Sequence, residues 1–315
     1  MKFRILLTGK NGQVGAELAA LLPRMGEVMA FDRHELDLSK PDHIRRTIRD
    51  VRPSIIVNAA AYTLVDQAER EERQAHVINV DAPALMAEEA KRIGAALVHY
   101  STDYVFDGSS NLPYDETDRP SPINVYGKTK LAGEEAIRAV GLPHLIFRTA
   151  WVYGTRGRNF LLTILRLATE REELRVVGDQ FGAPTWSREI AKGTLRVLVQ
   201  LLEEGQEAIP RFVGIYHMTA AGKTSWFEFA EAILERASRT PQDVAWFRAA
   251  TGSHPLVVRR ITAIASEQYP APARRPASSV LSNYRLKETF GFELPNWKAQ
   301  LDSAFADSQA NGQRT

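Results

Sequence analysis

Phe3-Arg-Ile-Leu-Leu-Thr8, followed at once by Gly9-Lys-Asn-Gly-Gln-Val-Gly15, decides the fold. The first six residues are β-prone. Gly9, Gly12 and Gly15 are spaced three apart, and Ala16-Glu-Leu-Ala-Ala-Leu-Leu22 continues with helix-forming residues in apolar periodicity. Strand, glycine loop and helix open a dinucleotide-binding unit. The glycines allow a tight turn, a close backbone approach to pyrophosphate and close helix packing, with the phosphates on the helix N-terminus. Asn11 stands at the third position, where the usual fingerprint has glycine, so Gly9, Gly12 and Gly15 form a G-x-x-G-x-x-G variant. No Gly-Lys-Ser/Thr is present, which excludes a P-loop. Glu27 to Phe31 reads as a second strand ending in Asp32, about 20 residues past the loop, where an acidic residue binds the adenosine ribose 2′-hydroxyl. Arg33 follows and suits a 2′-phosphate, so NADH and NADPH both stay open.

Composition agrees with a folded enzyme of one large or two ordinary domains. The 315 residues are 44% hydrophobic and 25% charged, as in soluble globular proteins. A net charge of +2 gives no basis for a nucleic-acid or membrane partner. With no cysteine, disulfides, thiolate metal sites and cysteine nucleophiles are excluded. The apolar run in MKFRILLTG is too short for a signal peptide and no other stretch is long enough to span a membrane, so the expected location is cytoplasmic.

The first half alternates strands and helices. Helices are expected over Pro41 to Val51, Gln67 to Arg73, Val77 to Ile93 (interrupted near Pro83) and Lys130 to Val140. Strands are expected over Ser54 to Val57, Ala95 to Tyr100 and Leu142 to Phe147. That alternation predicts an α/β fold with a Rossmann-type, doubly wound parallel sheet. Its strand ends carry Asn58-Ala-Ala-Ala-Tyr62-Thr63, Ser101-Thr102-Asp103-Tyr104 and Arg148-Thr149-Ala150-Trp151. Small residues at such an end let a ligand lie near the backbone. Hydroxyls there either cap the strand or hydrogen-bond a substrate carbonyl. Tyr126 and Lys130 are four apart in the first turns of a helix, on one face. An ammonium beside a phenol lowers its pKa from about 10 and makes it an acid for a carbonyl oxygen.

The strings GKNGQVG, VNAAAYTLVDQAE, HYSTDYVFDG, NVYGKTKLAGE, IFRTAWVYG, DQFGAPT and PARRPASS together resemble the extended short-chain dehydrogenase/reductases, and within them the dTDP-4-dehydrorhamnose reductases. They span roughly residues 3 to 280, and DQFGAPT and PARRP are much more specific than Tyr-x-x-x-Lys. The resemblance implies reduction of the 4-keto group of dTDP-4-dehydro-6-deoxy-L-mannose to dTDP-L-rhamnose, with Tyr126 as proton donor. It implies that Lys130 holds the nicotinamide ribose and lowers the tyrosine pKa, that Thr102 orients the keto oxygen, and that Asp103 and Trp151 touch the sugar. Cofactor contacts are implied for Gly12, Gln13, Val14, Asp32, Asp37, Leu38, Ala61, Tyr62, Thr63 and Tyr100. A homodimer with magnesium at the dimer contact is also implied, with Glu17 and Glu189 at matching places and Asp302 or Asp307 as candidates for a third carboxylate.

In the second half, helices are expected over Asn159 to Thr169, Ser187 to Leu202 and Trp226 to Ala237, the last capped by Ser225. Strands are expected over Leu174 to Val177 and Val213 to His217. Residues 1–150 with about 187–216 are read as the cofactor domain, and 151–186 with about 217–315 as the substrate domain. Trp226, Phe227 and Phe229 read as core. Arg274 and Arg275 form either an exposed basic loop or a bidentate diphosphate site. Asp307 to Thr315 reads as a frayed end. Two competing functions share part of this pattern. Another nucleotide-sugar reductase or epimerase would have the loop, Tyr126 and Lys130 but not DQFGAPT. A non-catalytic regulatory subunit, of the kind that resembles this family in methionine adenosyltransferase, has no need of an acid, yet Thr102, Tyr126 and Lys130 are all present.

Overall fold

Residues 3–204, 211–241 and 243–307 are described in the computed structural model of the chain. In chain order the elements are β1 (Arg4–Thr8), α1 (Gln13–Leu21), β2 (Glu27–Phe31), α2 (Pro41–Val51), β3 (Ile55–Asn58), α3 (Val65–Ala68), α4 (Glu72–His76), α5 (Ala82–Ile93) and β4 (Ala96–Thr102). They continue with α6 (Val125–Val140), β5 (His144–Thr149), β6 (Val152–Tyr153), α7 (Phe160–Glu170), β7 (Glu173–Val177), β8 (Phe181–Gly182), β9 (Thr185–Trp186) and α8 (Ser187–Glu204). The last part holds β10 (Gly214–His217), β11 (Ala220–Ala221), β12 (Thr224–Ser225), α9 (Trp226–Ala237), α10 (Ala245–Thr251), β13 (Arg260–Ile264), α11 (Tyr284–Phe290), β14 (Leu294–Asn296) and α12 (Trp297–Ala306).

Six parallel strands form the central sheet in the order β10-β5-β4-β3-β1-β2. The chain leaves β1 for β2 on one side and returns to β3 on the other, so the crevice between β1 and β3 is the switch point at which such sheets bind ligands. Both faces are covered, which explains strands that are apolar throughout. Ile5, Leu7, Val57 and Phe147 face α1 and α8, whereas Leu6, Ile56, Leu97 and Ile146 face α2, α5 and α6. A second core is built by α7, α9, α10 and α12 around Leu161, Trp186, Phe229, Trp246 and Leu301. Helix α11 lies in the stretch expected with the substrate part, but Leu286 and Phe290 pack into the first core. Phe290 meets Tyr216 of β10 at 5.1 Å, and the apolar face of α11 has its burial there.

Two local departures from the expected helices have physical causes. Asn124 accepts from the Gly127 N–H at 2.7 Å, so α6 starts at Val125, a full turn before Lys130. The expected helix from Val77 to Ile93 opens as a wide turn over Val77–Asp81, and a regular helix begins only at Ala82 with Pro83 in its first turn, where the missing N–H is harmless. Helix α6 crosses at this wide turn. A Cβ on Gly133 would lie 2.1 Å from the Asn79 carbonyl oxygen, and one on Gly127 would lie 2.1 Å from that of Tyr104. Beneath α6, Glu134 and Arg148 form a two-pronged pair at 3.0 and 2.7 Å with both side chains buried. Glu134→Ala strands a buried guanidinium and is expected to lower the unfolding free energy by about 3–5 kcal/mol in urea titrations. A loss under about 1 kcal/mol would show that the pair is not structural.

Candidate active site

The glycine loop is shaped for a close approach. Gly9 has φ +72°, and its own Cβ would collide with the backbone of Ala59 and Ala60 at the end of β3. A Cβ on Gly15 would lie 2.0 Å from the Gly9 carbonyl oxygen, so α1 can approach the loop only with glycine there. No side chain caps α1 at Gly12, and its first turn carries no acidic residue, so its N–H groups and dipole are open to an anion. Val14 packs at the edge of the first core. The Gln13 side-chain Oε1 accepts from Asn159 Nδ2 at 2.9 Å, tying this loop to the start of α7. Asp32 accepts from the His34 and Glu35 N–H groups and from Asn11, and these bonds hold its carboxyl below the usual range. Arg33 is exposed. Asp37 takes Ser39 at 2.7 Å, and Leu38 is buried. These residues fit a bound dinucleotide: an uncapped helix end, a Cβ-free floor and a ribose-side carboxylate.

Ala61, Tyr62 and Thr63 follow β3 as expected. Tyr62 is fixed by its hydroxyl on Glu71 at 2.8 Å and by its N–H on Asn79 at 2.9 Å, and its phenol is pushed up to about 12, chiefly by desolvation. The Tyr100 side chain points away from the crevice, contrary to its expected cofactor role. Its hydroxyl pairs with Thr194 of α8 at 2.7 Å and its ring lies in the first core. Only its backbone carbonyl serves the site, accepting from Lys130 Nζ at 2.6 Å.

Tyr126, Thr102 and Asp103 meet where β4 ends. Thr102 Oγ1 donates to Asp103 Oδ1 at 3.0 Å and hydrogen-bonds the Tyr126 phenol. The Tyr126 ring is half-exposed by area, but its hydroxyl lies in a desolvated place. Burial therefore raises its pKa to about 12, against which the Thr102 bond is a smaller opposing effect, and Asp103 adds to the rise. This corrects the expectation that Lys130 lowers it. The Lys130 amine is itself buried, is pulled down to about 8 by desolvation, and is committed to Tyr100 O and to His99 Nε2 at 3.1 Å. Asp103 is raised to about 7 by burial, with Ser279 and Thr102 opposing.

Beyond β5, Trp151 sits at φ +46°, and its indole lies flat on Trp226, with 3.4 Å between ring centroids and 3° between planes. Trp226 is thus half-exposed at the site and not simply core. A Cβ on Gly182 would lie 2.3 Å from the Trp151 ring, which gives the glycine of DQFGAPT a reason. The PARRP loop reaches the same edge: Asn124 Nδ2 donates to the Arg274 carbonyl at 2.8 Å. The two arginines are not equivalent, because Arg274 is exposed while Arg275 is held by Asp66 at 2.7 Å.

The carboxylates read as metal ligands are already matched by cations of the chain. Glu17 is buried on Arg188 at 2.9 Å, Arg188 reaches Asp307 at 2.6 Å, Glu189 takes Lys192 at 2.7 Å, and Asp302 takes Arg236 at 2.6 Å. Asp307 is therefore anchored, while 308–315 lie outside the described residues. Among the described residues no three His, Cys, Asp or Glu side chains group as a metal site, and a magnesium ion needs several oxygens in near-octahedral order. As placed, these carboxylates do not fit one.

The RmlD substrate binding domain family matches residues 2–310. The chain is 52% identical over 296 residues to the dTDP-4-dehydrorhamnose reductase of Burkholderia thailandensis, covering 94% of this chain and 95% of that one. The chain belongs to the dTDP-4-dehydrorhamnose reductase family. Identity to the protein of the same name from Escherichia coli K12 is 43% over 298 residues, 93% of this chain and 94% of that one. A crystal structure of dTDP-4-dehydrorhamnose reductase from Bacillus anthracis in complex with NADP superposes with TM-score 0.83 at 35% identity, over 97% of this chain and 99% of the other.

Reading this reductase-family chain from sequence missed Asn79, His99 and Trp226. Asn79 links the Tyr62 backbone to Thr129 of α6. Nothing in the sequence hinted at it, because Asn79 falls inside the helix expected over Val77 to Ile93, where the chain instead opens as a wide turn. The raised Asp103 also makes a stability prediction. A carboxyl whose folded pKa lies above its unfolded value of 3.8 stabilises fully below that value, and this contribution is lost as pH rises towards 7. Asp103→Asn is expected to gain on the wild type by roughly 2–4 kcal/mol between pH 4 and 8 in urea unfolding. A constant difference between the two proteins would contradict the buried, protonated carboxyl.

Proposed function

We propose that this chain reduces the 4-keto group of dTDP-4-dehydro-6-deoxy-L-mannose to dTDP-L-rhamnose with NAD(P)H, the last step of dTDP-L-rhamnose formation. The observation that carries the chemistry is the desolvated Tyr126 hydroxyl, kept protonated and hydrogen-bonded to Thr102 at the ligand-binding edge of the sheet. Family membership supports the choice of sugar. When bound, the cofactor supplies hydride. Gly9, Gly12, Gly15, Gln13 and Val14 would hold its pyrophosphate, with Asp32, Arg33, Asp37 and Leu38 on the adenosine side and Ala61, Tyr62 and Thr63 farther along. Thr102 orients the keto oxygen and Tyr126 gives it a proton as the alkoxide develops. Lys130 holds the nicotinamide ribose. Asp103, Trp151 and Arg274 contact the nucleotide sugar. The chain divides into a cofactor part, residues 1–150 with about 187–216, and a substrate part, 151–186 with about 217–315, with α11 packed back onto the first.

Tyr126→Phe removes the proton but leaves the fold and the cofactor loop. It is expected to lower kcat by about 10²–10⁴-fold in NADPH oxidation with the keto sugar, with the NADPH dissociation constant changed by less than about threefold. Undiminished turnover by this variant, or none by the wild type, would overturn the proposal.

A further inference from the structure

A continuous buried hydrogen-bond chain runs from β1 to Lys130. Thr8 Oγ1 donates to Asn58 Oδ1 at 2.7 Å, and the Ala60 N–H also points at Asn58 Oδ1, at 3.3 Å. Asn58 Nδ2 lies 3.1 Å from His99 Nδ1, and His99 Nε2 lies 3.1 Å from Lys130 Nζ. Lys130 then donates to Tyr100 O at 2.6 Å. Thr8, Asn58, His99 and Lys130 are each at most 2% exposed, so no bulk water substitutes for a missing partner.

The donor inventory gives this chain a direction. Two donors converge on the Asn58 oxygen, which turns its NH₂ towards His99. His99 Nδ1 therefore accepts, and a neutral ring carries its hydrogen on Nε2. That N–H faces Lys130, and an ammonium has no lone pair to receive it. A neutral amine satisfies every group: Nζ accepts from His99 and donates to Tyr100 O.

We propose that His99 is a positioning residue for the reaction, oriented by Thr8 and Asn58, that presents an N–H to Lys130 and so weakens this lysine's hold on its proton in the ligand-free enzyme. This rests on the functional reading given above, because Lys130 matters there through the cofactor ribose. The other charged group facing Lys130 is Glu134, one turn along α6, and it favours the ammonium but is committed to Arg148 of β5. Lys130 is the charge that faces His99, and Asn58 of β3 meets the other side of the ring. Burial acts in the same direction, lowering Lys130 to about 8 and His99 well below its ordinary value.

The test is the pH dependence of the NADPH dissociation constant and of kcat/KM for wild type, His99→Gln and His99→Asn, with thermal unfolding to confirm folding. Wild type is expected to show an inflection near pH 8, from Lys130. His99→Gln puts a carbonyl oxygen within reach of an ammonium, and His99→Asn keeps the Asn58 side of the ring but leaves Nζ with no facing donor. Both are expected to move the inflection up by about one pH unit or more. Superimposable profiles in either folded variant, or no inflection near 8 in wild type, would overturn the role of His99. The NADPH-binding profile decides this even if Tyr126→Phe turns over normally, a result that would instead sink the functional reading.

Discussion

The close crossing of α6 over the end of β4 is the constraint on which the site depends. Gly127 and Gly133 let the helix backbone rest against the carbonyls of Tyr104 and Asn79, where any Cβ would collide. Because the helix comes this close, Lys130 is sealed from solvent and the Tyr126 hydroxyl is desolvated. Dryness sets the charges. Lys130 falls to about 8, Asp103 rises to about 7 and Tyr126 rises to about 12, each towards its neutral form. An unpaired buried charge is so unfavourable that proton position follows packing.

Other buried charges beside the site meet opposite charges. Arg148 and Glu134 lie beneath the same helix as a two-pronged pair, and Arg188 joins Glu17 to Asp307 where α1 and α8 pack together. Such pairs fix geometry more than they add stability. The first fixes α6 on β5 and the second fixes α1 on α8. The aromatic wall follows the same economy of space. A Cβ on Gly182 would run into the Trp151 ring, which stacks on Trp226.

Much of this was legible in sequence. Gly9, Gly12 and Gly15 announced the strand-loop-helix opening, and apolar strands alternating with helices announced a parallel sheet covered on both faces. Tyr126 and Lys130 were visible from their spacing, yet spacing could not tell which electrostatic effect wins. It suggested a lysine-lowered phenol, whereas burial, a property of the assembled fold, dominates. His99 was invisible because a histidine in a strand carries no periodic signal, and its meaning arises only when Asn58, 41 residues earlier, meets it in the neighbouring strand. Tyr100 failed as a cofactor contact for a related reason: strand alternation points its side chain to the α8 face and leaves only its carbonyl at the crevice. The carboxylates Glu17 and Glu189 looked like metal ligands until their partners Arg188 and Lys192 were seen beside them.

The central claim is that the reaction's acid is a phenol held protonated by a dry environment. The most direct measurement is the ultraviolet phenolate difference spectrum between wild type and Tyr126→Phe, followed from pH 7 upwards without cofactor. The account predicts no phenolate absorbance from Tyr126 below about pH 11, above the ordinary tyrosine value of about 10. A Tyr126 titration with its midpoint below about pH 9 would show a phenolate stabilised by Lys130 and contradict the account.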